Sequence, residues 1–560
     1  MKLDLINAET VEEFIVSMKK RIQQLTTNKT CNSNLMAIQA IQHKYETTLS
    51  FSFGKGIAEN FKRRSGYYWS DFTDAFVGEK SIHKTMATIA SLYFAIILPC
   101  IAFGVRDHNN TNGNIDARRA LIGQTIGGIV FALFSGQPLV VIMTTAPLCL
   151  LTKVVYDISE DLSVDFFDVF ACVGLWNALF VIMYALFDVS YLMKWCTRST
   201  EEIFGLFSFF AFFIDPIKDC IENFKKFYCF STSGTACHDC APQNSVLFLM
   251  LMLFTVWLAL FIYDFNKTKY LNSHFREILS DYALPIAVLT TSFVGSYLFQ
   301  EIKAEKFEII DSFEFKIITF KSLTISSIFV SLVLGFALSL LFFMDQNISA
   351  ALVNNPSNKL KKGEAYHWDL LVVGVLNIFL SLFGLPWMNG MLPHSPIHAR
   401  SLADVHRLVD ASGHVTEEVV RARETRVTEL ATHALIGVSL FLIPHPLDYI
   451  PIAVLNGLFL YCAIASLRGN SFVERMLLFI TEQTSYPPNH YIRRCPQNVI
   501  HLFTAIQIIQ SAVLCFFAFS VWPYVQMAYP VVIAILMPIR AKLIPLIIDE
   551  KYIKAIDGYH

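Results

Sequence analysis

Polar residues able to bind an ion stand at two breaks in otherwise apolar sequence. His394 and Ser395 lie in the stretch Gly384–Leu402, which holds three prolines, two glycines and two histidines. Thr144 and Thr145 follow a similar break that begins at Ser135-Gly-Gln-Pro. An uninterrupted spanning helix cannot accommodate such a stretch, because each proline removes a backbone donor and clashes with the preceding turn. Irregular backbone at membrane depth persists only inside protein or beside a wet cavity, so both stretches predict a binding site.

Each break leads into the start of a half-helix. Ser395 is the predicted N-cap of one half-helix, with Pro396 at its first helical position, and Thr145 is the predicted N-cap of the other. The positive end of a helix dipole can hold an anion. The hydroxyls of Thr144, Thr145 and Ser395 would suit borate, bicarbonate or hydroxide, although helix capping alone is a compatible role.

Asp345 is the third chemical candidate, because it lies towards the end of a long apolar segment. A carboxylate there is costly unless it faces a cavity or a partner, so Asp345 predicts a site that binds a cation or exchanges a proton. The alternative is a carboxylate that caps the segment at the membrane edge. His394 and His398, four residues apart, could form half of a metal site. The segment offers no third ligand, so neither a metal nor a cofactor is expected.

The composition indicates a polytopic all-α membrane protein. The chain has 560 residues, of which 54% are hydrophobic and 16% are charged, whereas soluble proteins have about 25% charged residues. The net charge of −2 says nothing about nucleic acid, but no basic patch interleaved with aromatic residues suggests it, so nucleic acid is not an expected partner. The lipid bilayer is the expected surrounding.

The hydropathy pattern predicts a membrane domain over about residues 63–550, between cytoplasmic tails at 1–62 and 551–560. Twelve apolar segments and two interrupted ones give about fourteen transmembrane segments. The interrupted segments, at about 138–158 and 393–410, take the third and tenth places, which predicts a 7+7 inverted repeat with two half-helices. Two unrelated proline kinks are the alternative. Basic residues collect on one predicted side, which puts both termini in the cytoplasm.

Two predicted outer loops carry modification candidates. Asn109 begins a glycosylation sequon, Asn109-Asn110-Thr111. Cys229, Cys237 and Cys240 lie in the loop at about 221–244, where an outer location favours one or two disulfides of undetermined pairing. The Cys-x-x-Cys spacing also allows a redox pair or half of a zinc site.

Longer motifs resemble the bicarbonate transporter (anion exchanger, solute-carrier family 4) family. The motifs are Phe61–Phe76 (FKRRSGYYWSDFTDAF), Phe131–Leu139 (FALFSGQPL), Arg198–Ile203 (RSTEEI), Phe343–Asn347 (FMDQN) and His501–Thr504 (HLFT). Pro393–Leu402 (PHSPIHARSL) and Gln483–Arg494 (QTSYPPNHYIRR) resemble its borate-transporter-like branch.

The resemblance implies core and gate domains, elevator-like alternating access, a homodimer through the gate, and a plasma-membrane, often basolateral, location. It also implies a large cytoplasmic N-terminal domain, whereas only about 60 residues precede the membrane domain here. Asp345 matches the acidic residue that lines the substrate and cation site of the family. His394 stands where chloride/bicarbonate exchangers of the family carry an arginine. A histidine is neutral or charged near neutral pH, so this departure argues against ordinary chloride/bicarbonate exchange.

Together these observations predict a secondary transporter of inorganic anions that carries borate or proton/hydroxide equivalents. Coupling to Na⁺ and stimulation by ammonia remain open. The alternative is a bicarbonate/chloride exchanger or a Na⁺–bicarbonate cotransporter that regulates intracellular pH. A membrane redox enzyme built on Cys237 and Cys240, and an adhesion or cytoskeletal anchor, are disfavoured, so no enzymatic activity is expected.

Overall fold

The computed structural model describes most of the chain from residue 53 onwards. The described residues are 53–78, 81–195, 197–227, 241–265, 268–302, 316–392, 394–409, 415–442, 449–468, 470–482, 492 and 494–557. Most of the predicted N-terminal tail lies outside these ranges, as do Cys229, Cys237 and Cys240. The predictions for those residues therefore remain predictions.

Helices make up nearly all of the regular structure. In chain order they are α1 Lys55–Ser65, α2 Ser70–Thr73, α3 Ser81–Asn110, α4 Ala117–Phe134, α5 Ala146–Asp161, α6 Phe166–Leu186, α7 Arg198–Phe227, α8 Pro242–Asp264, α9 Ser273–Asp281, α10 Ala283–Phe293, α11 Ile325–Val353, α12 Tyr366–Leu382, α13 His394–Ser401, α14 Val427–Ser439, α15 Ile452–Leu467, α16 Ser471–Leu477, α17 Gln497–Ala518, α18 Pro523–Gln526, α19 Tyr529–Pro538, α20 Ile544–Ile547 and α21 Glu550–Asp557. Short 3₁₀ or π turns cover Val189–Trp195, Val294–Leu298, Pro356–Asn358, Leu440–Leu442 and Ile539–Leu543.

Seven helical stretches within the described residues are long and apolar enough to cross a membrane. They are α3, α4, α6, α8, α11, α17 and the stretch Pro523–Ile547. About eighteen residues of helix span the hydrocarbon core, because each residue advances the helix by about 1.5 Å. The chain is therefore a polytopic helical membrane protein, as predicted. The fourteen-segment count and the inverted repeat remain predictions.

The spanning helices pack in two groups. In the first group, α6 packs against α11 and α12, and α3 packs against α4 and α14. In the second group, α15 packs against α7 and α8, while α10 packs against α8. Contacts of α11 with α19 and of α3 with α15 join the two groups. The division into core and gate domains remains a prediction.

The two predicted breaks meet inside the first group. Strand β1 (Ile142–Met143) pairs antiparallel with β2 (Asn389–Gly390), with Ile142 opposite Gly390. The amide of Met391 extends this ladder by donating to the carbonyl oxygen of Val141 at 2.8 Å. At Gly390 an added Cβ would lie 2.9 Å from Gln346 Oε1, so glycine allows β2 to approach α11 closely. The half-helices α5 and α13 follow directly on these strands.

The second half-helix is shorter than predicted. The segment 393–410 was expected to be helical after its break, but α13 ends at Ser401 and the chain continues as strand β3 (Ala403–Val409). Strand β3 forms a hairpin with β4 (Val415–Ala422), which the sequence analysis did not predict. The open edges of a two-stranded hairpin cannot be exposed to lipid.

A buried cluster of charged residues fixes the start of the membrane domain. Asp71 accepts hydrogen bonds from Lys362 Nζ at 2.7 Å and from Arg426 Nε at 3.0 Å, and Arg64 lies 3.5 Å away. Arg64 also pairs with Glu424 at 3.0 Å. All five side chains are buried. The cluster joins the turn between α1 and α2 to the chain just before α14, and the sequence analysis did not anticipate it.

Candidate functional site

The irregular backbone at the two breaks is held by buried side chains. The carboxylate of Asp369 accepts hydrogen bonds from the amides of Gly136 and Gln137, before the first half-helix. Asn377 bonds both the amide of Met388, at 3.0 Å, and its carbonyl, at 2.8 Å, before the second half-helix. Freed backbone groups at membrane depth need such partners, so these residues make the breaks stable.

Thr144 and Ser395 tie the two half-segments to each other. The hydroxyl of Thr144 donates to the carbonyl oxygen of Trp387 at 3.0 Å. The Ser395 hydroxyl donates to Met391 O at 2.7 Å and accepts the amide hydrogen of Val141 at 3.0 Å. Ser395 is the second residue of α13 rather than its N-cap. Both hydroxyls thus have protein partners in this structure.

Thr145 caps α5 by position, as predicted, but not through its side chain. It immediately precedes α5, and its hydroxyl makes no capping hydrogen bond. Its buried Oγ1 has no hydrogen-bond partner within the described ranges. The backbone amides in the first turn of α5 have no intrahelical hydrogen-bond partner either. Pro147, in the same turn, has no N–H to donate. The start of α5 therefore presents unpaired donors together with a hydroxyl.

Asp345 lies on α11 opposite this helix start, and only 1% of its surface is exposed. Its Oδ2 accepts a hydrogen bond from Asn389 Nδ2 at 2.9 Å. Its buried Oδ1 makes no hydrogen bond of normal geometry with the residues that the structure describes, although the Thr145 side chain lies beside the carboxylate. Asp345 is therefore a buried carboxylate in the interior of α11, and it does not cap the end of that helix.

His394 begins α13, and its Nε2 lies 2.9 Å from the carbonyl oxygen of Ala95 on α3. A carbonyl can only accept, so Nε2 carries the hydrogen. The buried Nδ1 makes no hydrogen bond to any described residue. The neutral ring thus keeps one acceptor nitrogen at the start of α13.

One cavity of about 650 Å³ connects these residues. Thr145, Asp345 and His394 line it on the side of the first helix group. Arg198 and Arg468, each about a third exposed, line it from the second group. We call this space the inner cavity. Neither Thr144 nor Ser395 lines it, so the structure brings together three of the five predicted substrate-binding residues.

A second cavity of about 380 Å³ lies beyond the first, and we call it the outer cavity. Its lining includes Arg106, Asp215, Asp219 and Asn456. Arg106, on α3, forms an ion pair with Asp215 on α7, and Asn456 on α15 donates to Asp219 at 3.2 Å. The ion pair bridges the two helix groups, as does a hydrogen bond from Arg106 to the carbonyl oxygen of Ala211 at 3.3 Å, whereas Asn456 and Asp219 both belong to the second group.

Three phenylalanine rings separate the two cavities. Phe103 lies 5.4 Å from Phe459 and 6.0 Å from Phe212, and Phe212 lies 6.0 Å from Phe459, measured between ring centroids. All three rings line the inner cavity, and Phe459 also lines the outer one. We call these residues the phenylalanine barrier. Aromatic packing across the two groups keeps the passage closed at this point.

Two other predicted features have a definite location. Asn109 is exposed in the last turn of α3 and lines the outer cavity, whereas Thr111 of its sequon is buried. Glu202, within the motif Arg198–Ile203, is buried between Arg198, at 3.2 Å, and Arg475. Gln507 completes this cluster by donating to Glu202. Through these contacts Glu202 joins α7 to α16 and α17.

His398 has protein partners rather than a metal site. Its Nε2 lies 2.8 Å from the hydroxyl of Thr428, and its Nδ1 lies 3.3 Å from Glu429. Over the described ranges, no group of three or more His, Cys, Asp or Glu side chains is placed to hold a metal ion. Sequence analysis missed Glu429, although a glutamate within an apolar segment is itself a signal.

Comparison with known proteins adds a family-level match. The model of the HCO3⁻ transporter integral membrane domain matches residues 51–234 and 228–560. Solute carrier family 4 member 11 of Mus musculus is 42% identical over 603 residues, which cover 99% of this chain and 70% of that protein. Band 3 anion transport protein of Rattus norvegicus is 28% identical over 90% of this chain and 55% of its own length.

A solved structure shows the same fold at lower identity. The murine solute carrier 26 family member A9 anion transporter, in the inward-facing state, matches with a TM-score of 0.55 and 14% sequence identity. The match covers 90% of this chain and 75% of that one. At this identity the likeness concerns the fold alone.

Proposed function

Because this chain belongs to the bicarbonate transporter family, we propose that its inner cavity is a transport site for borate or for proton/hydroxide equivalents. The family match makes the chain an anion transporter of the solute carrier 4 type. Which ion passes is the proposal, and the chemistry of the inner cavity supports it.

The polar groups of the inner cavity carry this proposal. At the half-helix starts the cavity is lined by a carboxylate with an unpaired oxygen, Asp345, and by the imidazole of His394. Neither group is a permanent positive charge, which a stably bound monovalent anion would favour. The two arginines that line the cavity from the second helix group, Arg198 and Arg468, are paired with Glu202 and Asp264. A site with one acid and one imidazole suits a ligand that exchanges protons, such as boric acid, borate or hydroxide.

The unpaired donors at the start of α5 would bind the oxygen atoms of the ligand. The dipole of α5 adds partial positive charge there, which stabilises an oxyanion. Asp345 would hold the accompanying proton or a cation such as Na⁺, and Thr145 Oγ1 would donate to the ligand. Thr144 and Ser395 would act indirectly, by holding the two half-segments in register.

The movement that we propose is elevator-like. The first helix group would carry the half-helices past the second, and the inner cavity would reach the cytoplasm under the predicted orientation with both termini inside. The phenylalanine barrier would then close the outer route. A plasma-membrane location, basolateral in polarised cells, and a homodimer through the second group belong to the same proposal.

Bicarbonate transport is the second candidate. The family model that the chain matches is that of an HCO3⁻ transporter domain, and band 3 is an anion transport protein. The donors at the start of α5 would accommodate bicarbonate as well as borate. Exchange with chloride or cotransport with Na⁺ would provide the counter-ion.

Ion substitution separates the two candidates. Cells that express the chain would be subjected to external pH steps, with and without borate, bicarbonate, chloride and Na⁺, while current and intracellular pH are recorded. We expect a pH-dependent flux that needs no bicarbonate and no chloride. A flux that requires both bicarbonate and chloride would establish anion exchange instead.

A further inference from the structure

A buried glutamate lies between two histidines beside the inner cavity. Glu429, on α14, is 2% exposed, and its Oε1 and Oε2 lie 3.3 Å from His398 Nδ1 and 3.1 Å from His433 Nδ1. Both histidines are also buried. Among the described residues, Glu429 forms no ion pair with a lysine or arginine. A buried carboxylate without a cation is costly, so this cluster needs a proton to become neutral.

His433 does not take that proton. Its Nδ1 faces two acceptors, Glu429 O at 2.8 Å and Glu429 Oε2, so Nδ1 carries a hydrogen. Its Nε2 lies 3.0 Å from Gln124 Nε2, which also donates to the carbonyl of Ile142 at 2.8 Å. That carbonyl fixes the orientation of the amide, and the second amide hydrogen then points at Nε2. His433 is therefore a neutral ring, with no room for a second hydrogen.

His398 can take the proton. Its Nδ1 also faces two acceptors, Glu429 Oε1 and the carbonyl of Leu139 at 3.2 Å, so this nitrogen carries a hydrogen. Its Nε2 faces the hydroxyl of Thr428, which donates to a neutral ring and accepts from a protonated one. The hydroxyl can therefore serve both charge states of His398.

Among the residues that the structure describes, the charged groups on the surrounding elements are paired or exposed, and Arg400, two residues after His398 on α13, is one of the exposed ones. From α13, His394 is the other imidazole, one turn before His398. At the start of α14, Arg426 is paired with Asp71. From α3, the Tyr93 hydroxyl is bonded to Ser439. The helix α4 contributes the uncharged Gln124, and the stretch before α5 contributes backbone carbonyls.

The position of His398 gives protons access to the cluster. His398 lines the inner cavity, as His394 does, and it lies on the half-helix α13. Glu429 and His433 lie behind it on α14. Gly128 makes room for the His433 ring, because a Cβ at this position would lie 1.9 Å from His433 Cδ2.

We propose that His398, held between Glu429 and Thr428, is a proton-binding site that takes a proton from the inner cavity and carries it with the half-helix. The site is separate from Asp345. Its role in coupling rests on the proposed transport function, whereas its ability to bind a proton does not.

Proton uptake by the purified protein tests the site without any transport. We expect wild type to take up one more proton on acidification than a variant that lacks the His398 imidazole. In Glu429→Gln this uptake needs a lower pH, because the carboxylate no longer stabilises the imidazolium. In His398→Gln this uptake step disappears. Glu474→Gln, which removes an exposed carboxylate on α16, serves as the charge-matched control.

Identical uptake curves for wild type, Glu429→Gln and His398→Gln would overturn the proposal. Thermal unfolding of each variant shows whether it is folded, and Thr428→Val gives an independent check, because loss of the Nε2 acceptor shifts the step in the same direction but less. In vesicles, the pH dependence of flux should shift with the uptake step. Absence of flux in wild type, with normal proton uptake, would refute the transport function and leave the proton site intact.

Discussion

At the scale of single residues, Asp345 and His394 define what the inner cavity can bind. Asp345 keeps one oxygen on Asn389 and leaves the other without a protein partner, and His394 donates through Nε2 and keeps Nδ1 as an acceptor. Each side chain can gain or lose one proton. A site with this pair responds to pH in a way that a site with an arginine does not.

Replacing His394 by arginine tests this difference. His394→Arg puts a permanent positive charge at the start of α13, so bicarbonate should bind more stably and pH should matter less. We expect the bicarbonate-independent flux to fall by about tenfold or more, a loss equivalent to about 1.4 kcal/mol in the barrier. Recordings of intracellular pH with and without bicarbonate measure this flux. An unchanged ion requirement, at equal surface expression, would remove His394 from the site.

The histidine and the aspartate could be found from the sequence, but their hydrogen bonds could not. A charge or a proline break inside an apolar segment is visible in the one-dimensional pattern. The partners of Thr144 and Ser395 are visible only once the breaks lie side by side, because Trp387 and Val141 belong to the opposite half-segment. Glu429 was overlooked because its partners come from α13 and from its own helix.

At the scale of elements, the two breaks are stable because each has a side chain that replaces the missing helical hydrogen bonds. Asp369 and Asn377 do this from α12. The short strands β1 and β2 then pair with each other. Prolines and glycines predict that the helices are broken, but which strands pair depends on contacts across more than two hundred residues, which local sequence does not encode.

The charged cluster around Asp71 should contribute strongly to stability. Asp71→Asn leaves Arg426 and Lys362 without their shared carboxylate, and we expect a loss of about 3–5 kcal/mol in the free energy of unfolding. Thermal unfolding of the purified protein in detergent shows whether the variant is less stable than wild type. Asp74→Asn is the matched control, because Asp74 also pairs with Lys362 but is 28% exposed, so its loss should be about 0–1 kcal/mol. Equal losses would contradict this account of the cluster.

The hairpin β3–β4 should loosen in acid. Burial would raise the pKa of Asp404, but hydrogen bonds from Arg423 and Lys84 outweigh it and hold the pKa below its usual value. A carboxyl with a lowered pKa stabilises the fold above its unfolded pKa of about 3.9, and this stabilisation is lost as the pH falls through the folded value. The protection factors of the hairpin amides, which correct the exchange rates for their intrinsic pH dependence, should therefore fall on acidification below about pH 4.

Asp404→Asn provides the comparison for the hairpin. This variant lacks the titrating group, so its hairpin amides should exchange faster than those of wild type at neutral pH and should show no additional step in acid. A step of the same size in both proteins would assign the acid effect to another group.

At the scale of the whole molecule, the two helix groups enclose two cavities that meet at the phenylalanine barrier. The inner cavity reaches the half-helix starts, and the outer cavity begins beyond Phe459. Hydropathy predicted a helical membrane protein, and the resemblance implied two domains. Neither could locate the barrier, because Phe103, Phe212 and Phe459 come from three distant helices.

Removing one ring should open the barrier. Phe212→Ala deletes a ring that contacts both other members, so we expect a leak current that does not saturate with substrate. Phe213→Ala is the control, because its ring is on the exposed face of the same helix. Current–voltage recordings compare the two variants. Equal currents in both would show that the closure lies elsewhere.

The measurement that tests the central claim most directly is proton flux into vesicles that contain the purified chain and no bicarbonate. Wild type would be compared with Asp345→Asn, which retains an acceptor for Asn389 and loses only the titrating carboxylate. A pH-driven flux in wild type that falls by about tenfold or more in the variant is the predicted result. Asp549→Asn, at an exposed position, should behave as wild type. Equal flux in wild type and Asp345→Asn would contradict the assignment of the inner cavity as the transport site.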